Sequence, residues 1–265
     1  MPINPQSKAL FFDVFGTTVQ WRQNVTKALQ EAGERALHSP RGSLNPEIRA
    51  QASAMTTENW HSMAEDWRAS YARFTATFDP SKSDGFVSID QHHYNALVEI
   101  LRSRQLDELF TESELKELVQ CWHKLDPWDD SVKGLKLLSS KFRTATLSNG
   151  NLSLLQGLVQ HGSLPFTDVV SSEHFGNYKP NPRVYLGAAE RLGFKPEQCV
   201  MVAAHLLDLK AAKECGFGTI FVERDGEEFD DLEKAVDDGY VDMAVEVEES
   251  SDGFVEVARR LGISE

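Results

Sequence analysis

Apolar positions along the chain follow two patterns. The first is a short unbroken run, Ala9-Leu10-Phe11-Phe12, which stops at Asp13 and continues as Val14-Phe15-Gly16-Thr17. Consecutive apolar residues without alternation suit a strand buried on both faces of a parallel sheet. Asp13 is then expected at the strand's C-terminal tip, the edge at which open α/β sheets bind ligands. Gly16 permits a sharp turn there, and the Thr17 hydroxyl is placed to hold the carboxylate.

The second pattern is helical. Val25, Ala28, Leu29, Ala32 and Ala36 share one helix face and end at the breaker cluster His38-Ser39-Pro40-Arg41-Gly42-Ser43. Another helical stretch is expected from near Pro46 to about Phe78, carrying Trp60, Trp67, Arg68, Tyr71 and Phe74. Ser88 with Gln91, and Thr111 with Glu114, resemble capping boxes. They precede the stripes Tyr94, Leu97, Val98, Leu101 and Leu115, Leu118, Val119, Trp122, Leu125. Nothing between residues 20 and 128 reads as a strand, so that stretch is expected to be a helical insertion after the first strand.

Beyond Asp126-Pro127-Trp128-Asp129-Asp130 helix and strand patterns alternate. Helices are expected at Val132 to Leu138, Leu154 to Val159, Pro182 to Leu192 and around Ala211-Ala212. Strands are expected at Thr144 to Leu147, Asp168 to Val170, Cys199 to Ala203 and Gly218 to Val222, and residues 223–252 are acidic and poorly patterned. Such alternation implies a parallel sheet with right-handed crossovers. The expected fold class is α/β, with a Rossmann-like parallel sheet core from residues 1–19 and 129–265 and an inserted α-helical cap subdomain at 20–128.

Composition narrows the partners. The 265 residues carry a formal net charge of -14 and a pI near 5.0, which argues against nucleic acid or an anionic membrane as a ligand of the whole surface. An anionic substrate would need a local positive site. The three cysteines (Cys121, Cys199, Cys215) are widely spaced with no metal or redox pairing, so a reducing cytosol is expected. No stretch approaches the ~20 apolar residues that span a bilayer, and the N-terminus has no apolar signal core. A cytoplasmic protein with no membrane partner is the simplest expectation.

Three expected strands end in polar residues: Asp13, then Ser148-Asn149, then His205 with Asp208. Lys179 lies in the loop Asn177-Tyr178-Lys179-Pro180-Asn181-Pro182, immediately before a helix. Parallel strands bring their C-terminal ends to one side, so these groups converge. Together they make an oriented carboxylate nucleophile beside a fixed ammonium and a second carboxylate able to act on water.

At these residues the sequence resembles the haloacid dehalogenase superfamily. Phe12-Asp13-Val14-Phe15-Gly16-Thr17, Leu147-Ser148-Asn149-Gly150, Tyr178-Lys179-Pro180 and Val202-Ala203-Ala204-His205-Leu206-Leu207-Asp208 match its four motifs in order. Within it the chain is most similar to the (S)-2-haloacid dehalogenases of type II. The phosphatase branch carries a second Asp, the general acid and a backbone Mg2+ ligand, where this chain has Phe15. Halide leaves without a proton, and the fourth motif offers Asp208 instead of an acidic pair, so the resemblance implies no metal and no cofactor. Tyr178 to Tyr185 is similar to the longer lysine motif whose terminal tyrosine, here Tyr185, lines the site. Trp67-Arg68 resembles the Trp-Arg whose arginine meets the departing halide.

The fourth motif departs from the usual Ser-Ser-Asn-x-x-Asp by having Ala203 and His205, and His205 could serve as a donor or as an auxiliary base. The implied reaction is attack by Asp13 on the α-carbon of a small anionic 2-haloalkanoate, then hydrolysis of the aspartyl ester. Asp208 and His205 would attend the water, Lys179 would keep Asp13 ionised, and Thr17, Ser148 and Asn149 would fix the two carboxylates. Backbone N–H groups near Phe15 and Ser148-Asn149 would bind the substrate carboxylate. A homodimer is plausible from the same resemblance. The competing readings are a Mg2+-dependent phosphate-monoester hydrolase and a scaffold that kept the fold without the chemistry.

Overall fold

In a computed structural model that describes residues 3–39, 44–82, 85–246 and 252–263, the first strand lies inside the sheet and not at its edge. β1 (Ala9–Phe12) pairs in parallel with β2 (Arg143–Thr146) on one side and β3 (Cys199–Ala203) on the other. β4 (Gly218–Val222) and β5 (Met243–Val245) extend the parallel sheet beyond β3, giving the order β2-β1-β3-β4-β5. Phe12 is in register with Thr146 and with Val202, so Asp13 leaves the sheet level with Leu147 and Ala203. The α/β class with a Rossmann-like parallel sheet is the one expected.

Residues 20–128 contain helices and no strand among those described. α1 (Arg22–His38), α2 (Pro46–Ser53), α3 (Thr57–Thr77), α4 (Ile89–Ser103) and α5 (Glu112–Val119) follow one another, with a short 3-10 turn at Gln120–His123. The single stretch expected from Pro46 to Phe78 is two helices. Thr56 adopts an extended backbone and accepts from the Asn59 N–H while the Asn59 side chain returns to the Thr56 N–H, so a new helix starts where a continuous one was expected. Thr111 and Glu114 complete the reciprocal box, whereas Ser88 makes only its half, because the Gln91 side chain turns to Asn95. Both ends of the insertion leave the core side by side, with the Gln20 N–H on the Asp126 carbonyl at 2.9 Å.

The sheet is covered on both faces, which is why its strands read as unbroken apolar runs. Leu10, Phe12, Val200, Val202 and Ile220 pack on α6 (Ser131–Leu138), α7 (Leu152–His161) and, through Phe254 and Val257, the helix near the C-terminus. Ala9, Phe11, Met201 and Ala203 face α8 (Pro182–Leu192) and α9 (Leu206–Glu214) through Val184, Tyr185, Ala188 and Leu209.

Two expectations are corrected here. Asp168 to Val170 is not a strand, because the Val170 N–H and carbonyl bond the Thr146 hydroxyl in place of a ladder partner, leaving isolated bridges beside β2. Within residues 223–252, read as acidic and poorly patterned, α10 (Leu232–Asp237) and β5 form, and the remaining helix is α11 (Gly253–Arg260). No helix among the described residues is long and apolar enough to cross a membrane.

Candidate active site

Asp13 projects from the end of β1 into a loop held on every side. The Thr17 hydroxyl donates to Asp13 Oδ2 at 3.0 Å and itself accepts from the Ala204 N–H at 2.9 Å. The Thr18 hydroxyl donates to the Asp13 carbonyl at 2.7 Å. The Trp128 indole bonds the Gly16 carbonyl, the Ser131 hydroxyl bonds the Thr18 carbonyl, and Arg224, paired with buried Asp130, bonds the Thr17 carbonyl. Gly16 has φ of +81°, a conformation that costs L-residues strain, and a Cβ there would lie 2.1 Å from Glu227 Oε2. The glycine serves both the turn and the close approach of that carboxylate.

Lys179 crosses the space between β1 and β3. Its Nζ donates to Asp13 Oδ1 at 2.8 Å and to Asp208 Oδ2 at 2.5 Å, and all three side chains are buried. The Tyr185 hydroxyl donates to the other Asp208 oxygen at 2.6 Å. Burial alone would raise the Asp13 carboxyl, but the Lys179 charge and the His205 hydrogen bond outweigh it and hold the carboxyl well below the usual range. Asp208 moves the other way: burial, with the Asp13 charge added, raises it in spite of Lys179. One carboxyl is thus kept ionised and the other made more basic.

Sequence reasoning gave Ser148 and Asn149 the task of fixing these carboxylates, and the structure corrects it. Asn149 clasps the Lys179 main chain, accepting from its N–H at 2.7 Å and donating to its carbonyl at 3.3 Å. Ser148 accepts from the Gly150 N–H at 3.3 Å. Neither bonds Asp13 or Asp208 among the described residues, because both side chains turn back on the loops they join.

His205 stands on the opposite side of Asp13 from Lys179. Its Nδ1 is 3.1 Å from Asp13 Oδ2 and its Nε2 is 3.4 Å from Glu227 Oε2. Burial disfavours the charged ring, but the two carboxylates win and raise it to about 9. Glu227 follows β4 and is itself held by the Trp21 indole at 2.9 Å and by Arg22 at 3.0 Å.

Above Asp13 the wall is aromatic. Phe15 meets Tyr71 and Trp122 with ring centroids 6.1 Å apart in each case, and Tyr71 and Trp122 each stack on the buried His93. The Arg68 guanidinium lies 4.6 Å from the centre of the Tyr71 ring. Arg68 makes no hydrogen bond or ion pair to a described residue, yet its charge is felt at His205 and Glu227. Arg49 on α2 instead bonds the Leu37 carbonyl, and Arg73 is exposed. The described residues hold no group of three or more His, Cys, Asp or Glu arranged to bind a metal ion.

A family model for haloacid dehalogenase-like hydrolases matches residues 7–216, from before β1 to beyond α9, and so takes in the four stretches that supply Asp13, Ser148-Asn149, Lys179 and Asp208. The chain belongs to this family. Among relatives it is similar to (S)-2-haloacid dehalogenase 4A of Burkholderia cepacia, 28% identical over 225 residues, covering 83% of this chain and 84% of that protein. It is 34% identical over 120 residues to (S)-2-haloacid dehalogenase 1 of Pseudomonas sp. (strain CBS-3), a match spanning 44% of this chain and 53% of that protein. The crystal structure of the defluorinating L-2-haloacid dehalogenase Rha0230 superposes with a TM-score of 0.80 at 29% identity, covering 99% of this chain and all of that one.

Within this haloacid dehalogenase-like hydrolase, sequence reading missed Glu227, Trp21, Arg22 and Tyr71 as parts of the site. Tyr71 falls four positions after Trp67 on α3, a spacing that puts both on one helix face and could have suggested it. Glu227 lies in a turn with no periodicity, so no local signal pointed to it.

Proposed function

We infer that this chain is a hydrolytic dehalogenase that converts (S)-2-haloalkanoates to 2-hydroxy acids and halide through an ester on Asp13, without a metal. Residues 20–128 act as a helical cap over the core of residues 1–19 and 129–265. The observation that carries the reading is the pairing of an ionised, clamped Asp13 with Phe15 two residues on, an apolar side chain that has no proton to give a leaving group and that packs into an aromatic wall with Tyr71 and Trp122. The similarity to (S)-2-haloacid dehalogenases supports the substrate class.

In the first step Asp13 attacks the α-carbon in line, and halide departs towards Arg68 and the rings of Phe15, Tyr71 and Trp122. Lys179 offsets charge on Asp13, while Thr17 fixes its rotamer. Backbone N–H groups near Phe15 and Ser148-Asn149 hold the substrate carboxylate, with Asn149 also placing Lys179. In the second step water attacks the ester carbonyl beside Asp208, which Tyr185 and Lys179 orient, and beside His205. A cytoplasmic homodimer without cofactor completes the reading.

The test is free halide from purified protein incubated with (S)-2-chloropropanoate, (S)-2-bromopropanoate and chloroacetate, with and without excess EDTA. Halide release unaffected by EDTA is expected. Mg2+-dependent hydrolysis of p-nitrophenyl phosphate with no halide from the acids would make it a phosphatase.

A further inference from the structure

We propose that Asp13, His205 and Glu227 form a carboxylate–imidazole–carboxylate triad, in which Glu227 positions the ring and His205 takes the proton of the hydrolytic water once Asp13 is esterified. The proposal rests on the dehalogenase reading for its chemistry and on the geometry for its residues.

The two ring nitrogens of His205 face two carboxylates, Asp13 at 3.1 Å and Glu227 at 3.4 Å. A ring in that position is an imidazolium in the free enzyme. Glu227 is itself anchored: its side chain is 4% exposed, Oε1 accepts from Trp21 and Arg22, and Arg22 also bonds the Gly226 carbonyl at 2.8 Å and Glu65 of α3 at 2.6 Å. Gly16 leaves the space that Oε2 enters. Asp208, the other candidate base, has each oxygen engaged by a donor, Lys179 on one and Tyr185 on the other. Of the two, His205 has its nitrogen on Asp13 itself, where the ester forms.

The charges around His205 change when the ester forms. The groups facing it are Asp13 from β1, Glu227 from the segment after β4 and Arg68 from α3, while Glu228 bonds the Leu206 N–H next to it. Esterification removes the Asp13 charge. Burial and Arg68 then oppose the imidazolium while Glu227 supports it, so Nδ1 releases its proton to solvent and Nε2–H stays on Glu227. That proton is the one the net reaction requires, since R–X and water give R–OH, X⁻ and H⁺.

Hydrolysis then balances. Water gives a proton to Nδ1 as its oxygen bonds to the Asp13 carboxyl carbon. Collapse breaks the bond from that carbon to the oxygen now on the substrate. The departing alkoxide takes the proton of the new carboxyl group, leaving the hydroxy acid, an Asp13 carboxylate and a His205 imidazolium.

The first test needs no substrate. Nitrogen-15 NMR titration of histidine-labelled protein follows His205 in the wild type, in Asp13→Asn as the neutral stand-in for the ester, and in Glu227→Gln. The His205 pKa is expected to fall by more than one unit in each variant, with the proton kept on Nε2 in Asp13→Asn. A His205 still fully protonated at pH 8 in the Asp13→Asn variant would be a hydrogen-bond donor only and overturns the proposal.

The second test is an acid-quenched single turnover with (S)-2-chloropropanoate. Glu227→Gln and His205→Gln should build up ester on the Asp13 peptide, with hydrolysis slowed at least tenfold, and Glu227→Asp should recover part of the rate. The rising pH limb of hydrolysis should move to lower pH in Glu227→Gln, which a merely structural role would not cause. Ester that decays at the wild-type rate in both variants overturns the triad. Absence of halide from the wild type would instead overturn the dehalogenase reading, leaving the NMR titration to decide the triad by itself.

Discussion

Lys179 Nζ donates to Asp13 Oδ1 at 2.8 Å across 166 residues of chain, and the same ammonium reaches Asp208 at 2.5 Å. One buried cation therefore offsets two buried anions. Replacing it leaves Asp208 without a cation and Asp13 with His205 alone, which is far more costly than never having had the charges.

Lys179→Met should accordingly lose stability as well as activity. Breaking a buried pair costs about 3–5 kcal/mol. The two carboxylates would repel, and the folded state would bind a proton more tightly than the unfolded chain, so stability should recover as pH falls from 7 towards 4. Thermal unfolding of variant and wild type across that range measures it. A variant deficit that stays constant with pH contradicts this account of the pair.

Arg68→Ala should impair turnover much more than folding. The side chain has no hydrogen-bond or ion-pair partner among the described residues, and its contact with Tyr71 is worth about 0.5–1 kcal/mol. Losing a charged donor at a departing anion costs about 3 kcal/mol of barrier, on the order of a hundredfold in kcat. Halide release and melting temperature measured on the same preparation separate the two effects. Retention of more than half the activity would remove Arg68 from the site.

Oxygen from Asp13, not directly from water, should enter the product. One turnover with excess enzyme in H2-18O should give unlabelled 2-hydroxy acid and label the Asp13 peptide, because the ester is cleaved at its carbonyl. Heavy oxygen in the product of that first turnover would instead mean direct attack by water. Asp208→Asn is expected to slow ester hydrolysis too, through loss of the carboxylate that Lys179 and Tyr185 orient.

His205 should leave a mark on stability in alkaline solution. Its folded value of about 9 lies above the ordinary ~6.5, so its contribution is complete below pH 6.5 and is lost as pH rises through 9. The loss is on the order of 3 kcal/mol. Chemical denaturation at pH 6, 7.5 and 9.5 should show that decline in the wild type and a flatter profile in His205→Gln. Parallel profiles would mean that the ring carries no extra proton in the folded state.

How much of this was legible depended on where each residue sits. Asp13, Lys179 and Asp208 lie at or just past strand ends and loop starts, positions that apolar runs and prolines mark in the sequence. Strand direction then brings them together. The ends of α8 and β3 fell where Pro182 and the Cys199 to Ala203 run placed them. The break before α3 was obscured because Asn59, instead of Glu or Gln, completes the box with Thr56. β5 is three residues long and takes its place from pairing with β4, so its own sequence says little. Glu227 is placed by Trp21, Arg22 and Gly16, all about two hundred positions earlier, and such tertiary selection has no local pattern.

The position of β1 in the sheet also governs how the chain is made. Ala9–Phe12 is synthesised before either of the strands that pair with its two edges, which begin at Arg143 and Cys199. At about 5–20 residues per second, β3 follows roughly 10–40 s later. Until its partners are made, four apolar residues present open hydrogen-bonding edges, the surface on which nascent chains aggregate. The helical insertion is synthesised in the gap, with Trp60, Trp67 and Trp122 in a hydrophobic cluster it shares with the sheet, and gives the growing chain apolar helices to collapse while the nucleophile's strand waits.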